Sequence, residues 1–254
     1  MDVHSYPPGA PCWLDLTCPD PPKVHAFYAD LFGWTVRADA EDGPGFATFG
    51  LAGRDVAGLG PAPDDAGSSW NVYLNTPDLD ACLTDVEQFG GRVLVGPVQI
   101  EGRGRGGACV DPTGGVFSVW EAGGHIGSGI TGVPGTWCWT ELLTADVEMA
   151  AQFYANVFDW TIDVETVDGV DLGVASIAGE AVAGLVTPPP QANIGTVWTV
   201  SFAVADPDRI AVIAPMLGGQ VAVPPTEIPG MGRYALIAGP AGEAFSVVAR
   251  DETG

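Results

Sequence analysis

Side chains able to do chemistry are sparse in this chain, and the clearest of them come in pairs. Trp13 and Asp15 lie two residues apart, and Trp139 and Glu141 repeat the arrangement further along. In an extended strand, residues i and i+2 project to the same face, so each pair sets an indole beside a carboxylate. The indole offers a flat apolar surface, and the carboxylate either pairs with a cationic group or accepts a proton as a general base. Other combinations fail on composition. Histidine occurs only as His4, His25 and His125, which leaves no Ser-His-Asp or Cys-His arrangement to assemble. The segments Gly102-Arg103-Gly104-Arg105-Gly106-Gly107 and Gly230-Met231-Gly232-Arg233 superficially suggest phosphate loops. No Lys-Ser/Thr follows, and the context is a turn between strands rather than strand-to-helix, so a Rossmann or P-loop reading fails. Two readings remain: a mobile flap with Arg105 and Arg233 meeting a carboxylate or phenolate, or a solvated turn.

The elements that would position these side chains also come twice. Trp13–Thr17 returns at Trp139–Leu143, Phe27–Thr35 at Phe153–Thr161, and Val56–Leu59 at Val182–Leu185, all at an offset of 126 residues. After a two-residue insertion the offset is 128, carrying Gly90-Gly91 to Gly218-Gly219 and Phe117–Val119 to Phe245–Val247. Solenoid repeats have periods of roughly 20–50 residues, so this period marks two copies of a whole domain. Within a copy, Leu14, Leu16 and Cys18 alternate with Trp13, Asp15 and Thr17, the period of a half-buried strand. Asp20-Pro21-Pro22 can start a helix, with Asp20 as N-cap. Val24, Phe27, Tyr28 and Leu31 then keep helical spacing up to Gly33. Strands follow at Thr35–Ala38, Gly45–Leu51 and Asp55–Gly60, after which the order repeats. It gives a strand at Asn71–Thr76, a helix at Leu79–Phe89, and strands at Arg92–Gly96, Ala108–Asp111 and Val116–Glu121. The chain thus reads as four βαβββ units. The glycine-rich segment Ala122–Gly135 has the composition of a linker.

Composition narrows the partners. The 254 residues carry a net charge of −23, through a shortage of Lys and Arg (9) rather than an excess of Asp and Glu (32). Coding bias explains this blandly; the functional alternative is attraction for cationic ligands. Either way no basic footprint exists for nucleic acid. The N-terminus lacks the basic and apolar regions of a signal peptide, and no apolar run approaches a membrane span of roughly 20 residues. The five cysteines, Cys12, Cys18, Cys82, Cys109 and Cys138, form no CxxC pair, which disfavours a disulfide framework or zinc knuckle. A cytoplasmic protein is expected, monomeric or homodimeric.

The segments Asp20…Phe27-Tyr28…Leu31-Phe32-Gly33-Trp34, Asp146…Phe153-Tyr154…Phe158-Asp159-Trp160 and Asp111-Pro112-Thr113-Gly114-Gly115…Phe117 resemble the vicinal-oxygen-chelate superfamily. It includes glyoxalase I, extradiol dioxygenases and bleomycin-resistance proteins. The resemblance spans essentially the whole chain, and the layout is similar to actinobacterial tandem members. It implies an α+β fold of two tandem domains, residues 1–121 and 136–254 joined by the linker 122–135, with the four βαβββ modules forming concave mixed sheets. The fold hosts many chemistries, so the activity must be argued from the site.

Metal-dependent members take ligands seven residues before the Asp that ends two of the strands, and seven after the Asp of the terminal Asp-Pro turn. Those positions hold Trp13, Asn71 and Ser118 in the first copy, and Trp139, Thr199 and Ser246 in the second. Members usually carry His or Gln, His and Glu there; indole, hydroxyl and a single amide are poor divalent ligands. No metal and no cofactor is therefore expected. With these positions facing the cleft, alternation adds Asp15, Thr17, Tyr73, Asn75 and Trp120 in the first copy. The second keeps Trp139 and Glu141 of the aromatic and acidic set. The expected ligand contacts are Trp13, Asp15, Asn71, Tyr73, Asn75, Arg105, Ser118, Trp120, Trp139 and Glu141, with the first site stronger. A flat, amine-bearing aromatic molecule suits such a cleft. The resemblance implies metal-free binding for sequestration or resistance, or help to a biosynthetic oxygenase. The alternatives are a cofactor-independent enzyme using Asp15 or Glu141 as general base, and a metal-dependent lyase or dioxygenase.

Overall fold

The alternation in Pro11–Cys18 decides the central strand of the first copy. Leu14, Leu16 and Cys18 are fully buried against the helical side, while Asp15 and Thr17 stay half-buried on the other face. A computed structural model of the chain describes residues 1–38, 46–62, 67–189, 192 and 194–250. The first copy comprises β1 (Pro11–Cys18), α1 (Pro21–Phe32), β2 (Thr35–Ala38), β3 (Ala47–Leu51), β4 (Arg54–Pro61), β5 (Ser69–Asn75), α2 (Leu79–Gln88), β6 (Arg92–Ile100), β7 (Gly104–Val110) and β8 (Val116–Ala122). The second comprises β9 (Trp137–Leu143), α3 (Val147–Phe158), β10 (Thr161–Val167), β11 (Val170–Ile177), β12 (Glu180–Val186), β13 (Val197–Ala203), α4 (Pro207–Met216), β14 (Gln220–Ile228), β15 (Gly232–Ala238) and β16 (Ala244–Ala249). These are the four βαβββ units; residues 39–45, which include the first residue of the expected strand Gly45–Leu51, and residues 63–66 lie outside the described residues.

Each copy builds its own eight-stranded mixed sheet, ordered β2-β3-β4-β1-β5-β8-β7-β6 and β10-β11-β12-β9-β13-β16-β15-β14. The central strands β1 and β5 run antiparallel, and each pairs in parallel with the last strand of its own unit, β4 or β8. The sequence leaves open whether clefts form within or between the copies; each sheet is built from the strands of one copy.

Helix starts follow local chemistry. Asp78, Asp146 and Asp206 accept backbone N–H groups of Ala81, Met149 and Asp208, as N-caps should. Asp20 holds the N-cap position of α1 without a capping bond. The following Pro21-Pro22 removes a donor that it would have received.

The copies share one contiguous apolar core. Helices α1 and α3 sit between the sheets: Phe32 packs on Phe202 and Phe27 on Phe245, while Phe153 and Tyr154 meet Phe117. Two buried phenols fasten this contact. Tyr28 donates to Glu243 (3.1 Å) and Tyr154 to Asp111 (2.8 Å), and each receives an indole N–H, from Trp70 and Trp198. Trp34 and Trp160 are core, as their positions after helix ends suggest. Among the described residues no helix is long and apolar enough to cross a membrane.

The segment 122–135 is threaded tightly through the first copy. Ser128 is fully buried; its N–H reaches the Cys12 carbonyl, its hydroxyl donates to the Val56 carbonyl, and Trp137 Nε1 donates to that hydroxyl. Gly127 takes φ +107° beside the Cys12 backbone, a place where a Cβ would collide with that carbonyl.

Candidate functional site

The face of the first sheet opposite α1 encloses a cavity of about 320 Å³, within the range of about 300–1,000 Å³ common for small-molecule pockets. Its floor is β1, with Trp13, Asp15 and Thr17, flanked by Tyr73 of β5 and Trp120 of β8. Gly58, Leu59 and Gly60 of β4 and Phe46, Ala47 and Thr48 form one wall, and Ile100, Arg103 and His125 close the other side.

Asp15 is the polar centre. Asn71 Nδ2 donates to its Oδ1 and the Tyr73 hydroxyl to its Oδ2, both at 2.6 Å. Desolvation pushes the carboxyl above its ordinary pKa, while these two hydrogen bonds act the other way. Tyr73 is held well above the ordinary phenol value by burial and by the adjacent Asp15 charge. The phenol is therefore a hydrogen-bond donor at neutral pH, and Asp15 is the group whose charge can change. The aromatic walls are fixed independently. Trp120 Nε1 donates to the His125 carbonyl (2.8 Å), and Trp13 meets the His125 ring edge-on with centroids 4.5 Å apart.

Of the residues expected from the sequence, Trp13, Asp15, Tyr73 and Trp120 line the cavity together. Asn71 and Ser118 support it from behind: Asn71 holds Asp15, and Ser118 hydrogen-bonds to Tyr73. Asn75 instead donates to the carbonyls of Tyr6 and Pro7, tying the N-terminal segment to β5. Arg105 does not reach the cavity. It pairs with Asp80 (2.8 Å) and Glu121 (3.2 Å), just as Arg233 pairs with Asp208. The glycine-rich run is no flap either, because Gly104–Gly107 form part of β7 and Arg105 alternates outward from it. Gly106 lies under the Trp120 ring, 3.2 Å from an added Cβ, so its glycine makes room for the indole.

Nine lining residues escaped the sequence reading, among them one aromatic and two with basic side chains. Phe46 sits just before β3, Arg103 in the turn before β7, and His125 in the presumed linker. Only the rarity of histidine and arginine could have flagged the last two.

The second sheet differs by a cross-strand exchange. In the first copy Gly106 on β7 pairs with Trp120 on β8; in the second, Tyr234 on β15 pairs with Val248 on β16. The aromatic group thus moves to the neighbouring strand rather than disappearing, which corrects the expectation of a merely depleted second cleft. Trp139 Nε1 donates to Glu141 (3.3 Å), whose pKa is raised by burial, and Ser246 donates to the Tyr234 hydroxyl (3.1 Å).

The family's metal does not fit these residues. Asp15 is the single carboxylate among the floor positions, the Asn71 amide nitrogen is committed to it, and Trp13 and Ser118 are poor donors. Among the described residues, no group of three or more His, Cys, Asp or Glu side chains could hold a metal ion.

A tandem pair of such sheets, each made of two βαβββ units, with a cavity over the first, defines a class of protein, and sequence comparison agrees with it. Residues 13–120 match the glyoxalase-like domain and residues 138–247 the glyoxalase/bleomycin resistance protein/dioxygenase superfamily; the chain belongs to that superfamily. It is 36% identical over 250 residues to CFP32 of Mycobacterium tuberculosis, provisionally named a glyoxylase, covering 96% of this chain and 95% of that protein. It is also 36% identical over 259 residues to the anthracycline biosynthesis protein DnrV of Streptomyces peucetius, covering 96% and 94%. The Mn(II)-bound glyoxalase of Novosphingobium aromaticivorans shares the fold, with TM-score 0.68 and 18% identity over 95% of this chain and 82% of that one. So does the 2,3-dioxygenase LapB of Pseudomonas sp. KL28, at TM-score 0.68 and 16% identity, covering 95% and 93%.

Proposed function

We propose that this protein binds a planar aromatic, amine-bearing small molecule in the cavity over the first sheet, without a metal ion. It would act by sequestering that molecule or presenting it to a biosynthetic enzyme such as an oxygenase. One observation carries the reading: a desolvated carboxylate, Asp15, lies on the cavity floor next to the Trp13 indole, and the Trp120 indole lines the same space. Rings stack on the indoles while an ammonium pairs with the carboxylate, and pairing with a cation favours ionised Asp15. The relatives named for anthracycline biosynthesis support a polycyclic aromatic ligand.

Calorimetric titration with 2-naphthylmethylamine and its uncharged isostere 2-ethylnaphthalene tests this. The amine should bind more tightly, with an advantage that shrinks as salt rises. Equal affinities at low and high salt would refute the charge pairing. The protein as purified should hold well under one equivalent of Zn, Ni, Mn or Fe, and chelator should leave its melting temperature unchanged. Stoichiometric metal with a chelator-sensitive melt would overturn the metal-free reading.

A second reading has its own support, since Asp15 with a raised pKa and a short bond from Tyr73 is also arranged as a general base. Turnover of a bound ligand that Asp15→Asn abolishes, while binding persists, would favour it.

A further inference from the structure

The two glycines of β4 that face the cavity are covered by different side chains. Gly58 lies beside Asp15 of β1 and Gly60 beside Thr17, with all four lining the cavity. A Cβ on Gly58 would meet the Asp15 Cβ at 2.9 Å and the Trp13 indole nitrogen at 3.3 Å. A Cβ on Gly60 would instead meet the Phe46 ring, with Cε1 at 2.9 Å and Cδ1 at 3.1 Å. Same-face residues on a strand are roughly 6–7 Å apart. The glycines therefore seat an indole and a carboxylate at one step and a phenyl ring at the next.

Among the described residues Phe46 is the one exposed aromatic side chain, at 41%; the others are buried or half-buried. A ring left in water forfeits the free energy of its burial, which a ligand lying in the cavity would recover. The second copy favours a role in binding over a role in the fold. At the offset of 126 residues, Phe46, Gly60 and Thr17 become Leu172, Val186 and Leu143, while Gly58 stays glycine as Gly184. Leu172 pairs with Val186, and Val186 with Leu143. Three aliphatic side chains take the place of the ring and its seat, and the same sheet order forms without a Phe-Gly pair.

We propose that Phe46 is the ligand's outer aromatic contact, and that it sets a preference for amines whose fused ring system is long enough to run from Asp15 to this exposed ring. This rests on the ligand-binding reading above and deepens it from an aromatic amine to an extended polycyclic one. The amine pairs with Asp15 at the level of Gly58, the nearer ring lies along Trp13, and the far rings cover Phe46 at the level of Gly60. A single-ring amine occupies the first step alone and leaves the phenyl ring in water. Gly60 is the enabling residue, since a side chain there would push the ring from its seat.

Benzylamine and 2-(aminomethyl)anthracene, titrated calorimetrically, separate the two steps. The wild type should bind the anthracene probe more tightly. Phe46→Ala should weaken that probe roughly three- to tenfold, the scale of one aromatic contact, and leave benzylamine within about twofold, the scatter expected where no contact changes. Asp15→Asn should weaken both probes by a similar factor, because both carry the same amine. An aromatic ring over a cross-strand glycine also steadies a sheet, and a ring with that role alone would affect both probes alike. Equal losses, or no loss in either, would therefore overturn the proposal. If Asp15→Asn still weakens both amines in that case, the first reading stands without it. Indifference of both amines to Asp15→Asn would instead sink the ligand-binding reading on which this one is built. Should the alanine variant fail to fold, Phe46→Leu supplies the second copy's residue and keeps the seat over Gly60 filled. It must then still narrow the anthracene advantage about threefold, within the range of a lost aromatic contact, or the proposal fails.

Discussion

Burial and hydrogen bonding act on Asp15 in opposite directions, and burial is the larger. A carboxyl with a folded-state pKa above its unfolded value favours the fold when protonated. That contribution is fully present below about pH 3.8, the ordinary value, and is lost as pH rises through the raised pKa. Asp15→Asn removes the ionisation while its amide still reaches Asn71 and Tyr73. The variant should melt higher than the wild type near neutral pH, with the advantage vanishing toward acid. A melting difference independent of pH would show that Asp15 carries no buried charge. Under the proposed function the same substitution should weaken an amine ligand, moving stability and binding in opposite directions at this residue. Trp13 is the complementary case. Trp13→Ala should cost roughly 1–3 kcal/mol of ligand affinity, the scale of a lost aromatic anchor, and more than Trp139→Ala. Titration of both variants decides it, and equal losses would place equivalent sites on the two sheets. Trp13, Asp15, Tyr73 and Trp120 were legible because strand alternation puts them on one face. Arg103 and His125 were not, because turns and connections have no such period and their side chains are aimed by backbone bonds formed only in the folded chain.

At the scale of elements, the glycine-rich stretch after β8 shows where composition misleads. Six glycines and a proline predict a flexible connector, yet this one is pinned by Ser128 and carries His125 into the cavity wall. Small residues here permit close approach to the backbone of β1 rather than motion. Ser128→Ala would leave the Val56 carbonyl and the Trp137 indole N–H buried without their partner. The expected loss is roughly 1–3 kcal/mol of stability, the cost of stranded polar groups. Gly127→Ala should act more broadly, because the new Cβ meets the Cys12 carbonyl at a backbone conformation that alanine resists. Chemical denaturation reads the first, and the second should also weaken naphthylmethylamine binding by shifting His125. A Gly127→Ala protein with wild-type stability and binding would mean the segment is a loose tether after all. The duplicated pattern sets out the order of strands and helices correctly, whereas the glycine run 104–107 reads as a turn by composition but is a strand. Its glycines belong to a strand, where they clear space for Trp120.

The whole molecule folds as an interlocked pair because the helix of each leading unit is completed by the other copy. Phe27 and Tyr28 point into the second copy, Phe153 and Tyr154 into the first, at positions the duplicated sequence makes equivalent. The repeat announced two domains, but periodicity cannot say which faces meet, since an apolar helix stripe looks the same against its own sheet or a neighbour's. The polar fasteners are also hidden in sequence: Glu243 and Asp111 are separated from their tyrosines by 215 and 43 residues. Thermal unfolding should accordingly be a single cooperative transition, as one shared core requires. Tyr154→Phe strands the Trp198 N–H and one oxygen of Asp111, and Tyr28→Phe does the same to Trp70 and Glu243. Each should destabilise by roughly 1–3 kcal/mol, and because the fasteners share no side chain, the losses should add in the double variant. Calorimetry that resolves two transitions in the wild type, or a double variant that loses only the stability of one copy, would show that the copies fold independently. The transition should instead stay single in every variant, since weakening either fastener exposes apolar surface that both copies bury.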